Sequence, residues 1–246
     1  MKNRNKHIKK YGIRISIILA FFILIIGTAV ILYSSDYYHA LSEADLENVI
    51  TEEIDVITQG NEIMFRAKES QTGLIFYPGG KVEATAYEPL LKILASKGIS
   101  CVLIEMPFHL AVLDSDAANK VFDHYPEIKT WYIAGHSLGG AMAASYVAEY
   151  PDQTEGLILL AAYPTKELPS DMKVLSVYGD QDQVLTMENY VNNMSHVKIL
   201  SEVVLEGGNH AQFGNYGIQK GDGTALITPK EQWVQTADAI IQFIEQ

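Results

Sequence analysis

The motif Gly135-His136-Ser137-Leu138-Gly139 stands between a short apolar run, TWYIA (130–134), and a stretch of small residues, AMAASYVAEY, that Pro151 ends. A serine held at so tight a turn from strand to helix sits in a strained backbone. Its neighbours must be almost free of side chains, and its hydroxyl then projects above the edge of a sheet. The helix that begins there aims its positive end at any negative charge developing nearby. A plain glycine-rich turn whose serine only caps a helix is the rival reading, but a cap needs no glycine on both sides. The chain is thus expected to place a buried strand directly before a closely packed helix.

The surrounding sequence repeats that alternation. TGLIFYP (72–78), ISCVLIEMP (99–107), GLILLAAYP (156–164), KVLSVYG (173–179) and VKILSEVVL (197–205) read as strands, and residues 49–66 read as an opening strand pair turning at Gly60-Asn61. Between them, Tyr87, Leu90, Leu91 and Leu94 recur at helical spacing before Gly98, and a further helix falls near residues 117–124. Thr228-Pro229-Lys230-Glu231 is a capping box with proline at the first helical position. It opens a closing helix whose apolar face is Trp233, Val234, Ala237, Ile240, Ile241 and Ile244. This order predicts an α/β fold, a mainly parallel sheet with helices on both faces, formed as one domain over residues 49–246.

A serine hydroxyl is a poor nucleophile until a base takes its proton, so a histidine and an orienting acid are expected downstream. Asp182 lies in GDQDQV just past the 173–179 strand, and His210 lies in GGNHAQFG just past the last strand. Both positions are strand exits at the carboxyl edge, where α/β sheets place their sites. Asp180 is the competing acid. Asp182 is preferred because the chain needs a few residues beyond Gly179 before a side chain can turn back toward the imidazole. Two amide N–H groups must also face the attacked carbonyl. Leu138, next after the serine, supplies the first, and the loop Pro78-Gly79-Gly80-Lys81 supplies the second through the Lys81 amide, unless Pro-Gly-Gly is only a turn.

Gly80, His109, His136 and Gln212 are the further candidates to line the pocket. His136 is expected to pack against the sheet rather than to catalyse. The polar stretch 208–223 either shapes the pocket or is a surface loop held by its own hydrogen bonds. His7, His39, His124 and His196 stand in polar contexts. No H-E-x-x-H or C-x-x-C spacing occurs, there is one cysteine, Cys101, and no phosphate-binding glycine loop. The reading therefore calls for no metal and no cofactor, and it disfavours hydride transfer and nucleotide hydrolysis.

Charge divides the chain. Lys2, Arg4, Lys6, Lys9, Lys10 and Arg14 precede any acid, and without them 12 basic residues face 30 acidic ones, a balance of −18. A body so acidic repels phosphate backbones, which excludes nucleic acid as a partner. Behind the basic segment 1–14, residues 15–33 contain the uncharged run ISIILAFFILIIGTAVIL, long enough for a transmembrane helix. The charge asymmetry predicts a single-pass anchor in the cell membrane, N-terminus inside and body outside, with residues 34–48 as connector. A cleaved signal peptide is the alternative. Its apolar region would be shorter and followed by small residues at the cleavage site, whereas this run ends ILYSS.

These motifs together, YPGGKVEATAY, MPFHLAVLD, GHSLGGAMAASY, LAAYP, YGDQD and GGNHAQFGNYG, resemble the α/β-hydrolase superfamily over residues 49–246. The likeness is to its small lidless fold-5 group, distantly similar to dienelactone hydrolases. The resemblance implies Ser137 as nucleophile, His210 as base, Asp182 as its partner, and the Lys81 and Leu138 amides as oxyanion hole. It implies a carboxylesterase-like serine hydrolase acting on a small ester-like substrate. Dienelactone hydrolases carry cysteine where this chain has Ser137, so their substrate is not carried over. Only residues 165–172 separate two strands where many lipases insert a helical lid, and eight residues form no lid. Amide hydrolysis, acyl transfer, or ligand binding without catalysis would use the same framework.

Overall fold

The computed structural model describes residues 2–42, 46, 49–50 and 52–246. The apolar runs pair as one eight-stranded sheet: β1 (Asp55–Gln59), β2 (Glu62–Arg66), β3 (Thr72–Tyr77), β4 (Ser100–Ile104), β5 (Thr130–His136), β6 (Gly156–Leu160), β7 (Lys173–Gly179) and β8 (Ile199–Leu205). Their spatial order is β1-β2-β4-β3-β5-β6-β7-β8. The first two are an antiparallel hairpin turning at Gly60-Asn61, and β2 also runs antiparallel to β4. From β4 to β8 every pair is parallel. Parallel neighbours need crossovers, and those crossovers cover the sheet on both sides.

Alternate residues of each central strand serve opposite faces. Leu74 and Phe76 of β3, with Tyr132 and Ala134 of β5, pack on one face with Leu90, Leu91 and Leu94 of α2 (Glu88–Ser96) and with Trp233, Ala237 and Ile240 of α6 (Pro229–Ile244). Ile75 and Tyr77, with Trp131 and Ile133, pack on the other. There they meet Val121 of α3 (Val121–His124), Ala143, Ala144 and Val147 of α4 (Leu138–Glu149), and Tyr190 of α5 (Met187–Met194). Burial on both faces explains why these strands read as continuous apolar runs. The edge strand β1 is exposed along its whole length and carries the mixed sequence DVITQ.

The closing helix begins as its sequence dictates. Thr228 Oγ1 accepts from the Glu231 N–H, and the Glu231 carboxylate accepts from the Thr228 N–H. Several elements are shorter than expected, among them the 99–107 strand, which is formed only over Ser100–Ile104. The 156–164 strand stops at Leu160, because Ala161 turns into the left-handed region (φ 47°) and gives its N–H to the Val177 carbonyl. The helix near residues 117–124 is a 3-10 turn over Ala117–Lys120 followed by one turn of α3.

The N-terminal segment is a separate unit, through Tyr37. It forms one helix, α1 (Lys2–Ser35), within which Arg14–Tyr33 has a mean hydropathy of 3.0 and is long and apolar enough to cross a bilayer. The second unit begins at Tyr38, eleven residues before the expected domain start. Tyr38 donates its N–H to the Lys81 carbonyl and accepts from the Glu83 N–H, a single parallel bridge beside Val82. Ala40 N–H bonds the Glu83 carboxylate, and Leu41 N–H bonds the Asn215 carbonyl. Residues 38–42 are therefore an integral edge of the body. Residues 43–45, 47 and 48 of the expected connector lie outside the described residues.

Candidate active site

The strand β5 runs straight into α4 at Ser137, whose backbone is left-handed (φ 52°, ψ −121°). Its N–H is held by the Leu160 carbonyl on the neighbouring strand at 2.9 Å. The glycines beside it answer to crowding. A Cβ on Gly139 would lie 2.2 Å from the Tyr77 carbonyl oxygen, and one on Gly135 would lie 2.4 Å from the Gly139 backbone. Neither obstacle is a side chain that can move aside, so both positions exclude every other residue.

Asp182 follows β7 and His210 follows β8. The two meet: His210 Nδ1 is 2.8 Å from Asp182 Oδ2, with side chains 2% and 1% exposed. The other carboxylate oxygen, Oδ1, accepts the N–H groups of Val184 and Leu185, both at 2.8 Å. The rival acid is used elsewhere, since Asp180 Oδ1 accepts from the Gly207 N–H at 2.7 Å. On the far side of the imidazole, His210 Nε2 is buried with no hydrogen-bond partner among the described residues. Ser137 and His210 line one cleft of about 340 Å³, whose walls include Leu138, Ala141, Ala162, Tyr163 and Leu185. The group of three side chains sits at the carboxyl edge of the parallel strands, where the fold opens a crevice.

The oxyanion side differs from expectation. The Lys81 N–H is committed to the His109 carbonyl at 2.8 Å, in a left-handed turn (φ 59°), and so does not face the cleft as a free donor. Its neighbour Gly80 packs on the Leu138 side chain, where a Cβ would come within 2.8 Å of Leu138 Cδ2. Among the described residues, the N–H groups of Gly80 and Leu138 donate to no acceptor.

The remaining pocket candidates divide. His109 fixes Lys81 through its carbonyl and is not among the residues lining the cleft. Gln212 also stands outside it. Its amide donates to the Ile227 carbonyl and the Gln232 side chain, and it lines a neighbouring hollow with Asn209 and Asp222. His136 is 1% exposed and packs beneath His210, with ring centroids 4.6 Å apart. Its Nδ1 is 2.7 Å from the Tyr87 hydroxyl, which also accepts the Gly79 N–H at 3.0 Å. Tyr87, which nothing in the sequence placed at the site, thus links the glycine loop to the histidine layer. Its helical spacing had marked it only as core.

Burial, and then the neighbouring His210, hold the His136 imidazole well below the usual histidine range. In the unfolded chain it titrates near 6.5. The folded state therefore binds fewer protons below that pH, and the stability tied to neutral His136 is complete above about pH 6.5 and lost as pH falls through it. The loss is at most about 1.4 kcal/mol per pH unit. In urea titrations, the stability gap between the native chain and His136→Gln should shrink from pH 7 to pH 5. A gap constant over that range would refute the assignment.

The sequence profile of the alpha/beta hydrolase family, in its fold-5 group, matches residues 73–234. The chain belongs to the alpha/beta hydrolase family. Solved structures share the fold at low identity. A predicted CIB-like hydrolase from Thermoplasma acidophilum is 18% identical, with TM-score 0.53 over 76% of this hydrolase and 97% of that chain. Est1E from Butyrivibrio proteoclasticus, solved with ferulic acid bound, is 16% identical, with TM-score 0.58 over 80% and 99%. A monoacylglycerol lipase from Paleococcus ferrophilus is 12% identical, with TM-score 0.57 over 78% and 100%. No curated protein sequence matches this hydrolase.

Proposed function

We propose that this hydrolase is a membrane-anchored serine esterase that cleaves carboxylic esters of small or freely accessible substrates through an acyl-enzyme. One observation carries the reading: an imidazole tied to a buried carboxylate through Nδ1 leaves its Nε2 buried and unpartnered at the cleft that Ser137 lines. Ser137 Oγ attacks the ester carbonyl while His210 Nε2 takes the hydroxyl proton, and Asp182 stabilises the imidazolium that forms. The N–H groups of Leu138 and Gly80 receive the developing oxyanion, Gly80 standing in for the expected Lys81. His210 then gives its proton to the departing alcohol. A water molecule, deprotonated by the same nitrogen, releases the acyl group and restores the serine.

The apolar cleft wall suits an acyl chain, and its size suits a modest one. The names of the structural neighbours, an esterase binding ferulic acid and a monoacylglycerol lipase, favour ester over amide bonds. For location, the proposal is a single-pass anchor over Arg14–Tyr33 with the basic N-terminus inside and the body outside the cell. Labelling tests both parts. A fluorophosphonate should modify Ser137 in isolated membranes, as mapped by mass spectrometry, and a membrane-impermeant analogue should modify it equally in intact cells. No label in membranes would defeat the esterase reading. Label in membranes but not in intact cells would defeat the topology alone.

A further inference from the structure

The base of a triad must be held where it can reach both acid and serine, and His210 stands on a loop rather than on a strand. Four successive N–H groups of that loop are each accepted by a side chain. Asn209 N–H goes to Gln232 Oε1, His210 N–H to Asp222 Oδ1, Ala211 N–H to Asp222 Oδ2, and Gln212 N–H to Asn209 Oδ1. The Gln232 side chain, fully buried on α6, also returns its Nε2 donor to the Asn209 carbonyl. No strand ladder fixes these residues; side chains from two later segments hold three of the four, and Asn209 of the loop itself holds the fourth.

Asp222 reaches further than the base. Its Oδ1 also accepts the Gln183 N–H, the amide next after the acid Asp182. On the other side of Asp182, the Gln181 N–H bonds the Gly208 carbonyl. Asp182 is therefore bracketed by two links to the loop of His210, one of backbone and one through the Asp222 carboxylate. The next residue, Gly223, shows how closely the segments approach, for a Cβ there would fall 1.9 Å from the Gln181 carbonyl oxygen. The polar stretch ending in Gly-Asp-Gly is thus a clasp across the two catalytic loops.

We infer that Asp222 is a positioning residue that sets the separation of Asp182 from His210, and that Gly223 keeps the loops close enough for it to do so. The inference rests on the triad reading. Two full-chain variants in detergent act on the clasp by different routes. Asp222→Asn preserves shape but removes one acceptor oxygen, and Gly223→Ala drives a methyl against the Gln181 carbonyl while leaving every carboxylate in place. Both should lower kcat for p-nitrophenyl acetate by about 10- to 100-fold per folded molecule, with KM within about twofold. Both should also shift or broaden the low-field proton resonance of the His210 Nδ1–H. Folded concentration is read from near-ultraviolet circular dichroism.

A purely structural role would lower the melting temperature and leave both readouts unchanged. Variants that keep kcat within about twofold and retain the resonance would overturn the inference, and so would loss of the fold in both. Ser137→Ala measured in parallel separates the two claims. Undiminished turnover there defeats the triad, whereas the resonance reports on the clasp whether or not the serine reacts.

Discussion

Replacing Ser137 by alanine should lower kcat for a p-nitrophenyl ester by about 10⁴-fold, or about 5 kcal/mol of transition-state stabilisation. The size follows from how completely the site depends on that oxygen. The Leu138 and Gly80 amides can still polarise a carbonyl, which leaves a residue of rate above the uncatalysed reaction. No other hydroxyl on the cleft wall is presented from a left-handed strand-to-helix turn as Ser137 is. The variant should fold normally, since it loses one half-buried oxygen, and its melting temperature checks this. An alanine variant that retained more than about a tenth of the native rate would remove the nucleophile from the proposal.

The second large effect separates two aspartates two residues apart. Asp182→Asn should cost about 10³- to 10⁴-fold in kcat. Val184 and Leu185 both donate to Oδ1, so an asparagine oxygen would stay with those donors and its NH₂ would face His210 Nδ1. That arrangement forces the imidazole proton onto Nε2, the atom that must accept from serine, so the geometry survives and the base does not. Asp180→Asn can keep its bond to the Gly207 N–H through the remaining oxygen, and should hold kcat within about threefold. Steady-state kinetics on the pair decide the matter. Equal losses in both, or the larger loss at position 180, would reassign the acid.

What the sequence disclosed and what it hid follow one physical division. The elbow was legible because its requirements are local: Gly135 and Gly139 stand beside Ser137 along the chain, and the crowding that demands them comes from the strand and helix they join. Asp182 and His210 were legible because strand ends fix where loops begin, and parallel strands bring those ends to one edge. The proposed oxyanion donor moves by one residue, from Lys81 to Gly80, because the Lys81 N–H bonds the His109 carbonyl. Which amide of Gly79-Gly80-Lys81 is spoken for depends on the His109 carbonyl, delivered by a loop after a different strand, and no spacing within the glycine loop records it. Asp222 and Gln232 were hidden for the same reason. Their partners in the two loops lie 11 to 39 residues away, and Gln232 adjoins the apolar stripe of α6, where a buried polar residue breaks the pattern by which helices are read. Tyr38 joins by one isolated bridge, too short to leave any alternation.

That bridge alters what a cut or a pull on the chain would do. Residues 38–41 are hydrogen-bonded to Lys81, Glu83 and Asn215, backbone that flanks the glycine loop on one side and follows His210 on the other. A protease nicking the polypeptide just after Ser42 would release these staples together with the leader. The freed enzyme would then keep its nucleophile and imidazole but lose the splint beside its anion-receiving amides. On the proposed membrane anchor, shedding by such a cut would therefore blunt the catalyst it liberates, whereas a cut before Tyr38 would leave these bonds in place.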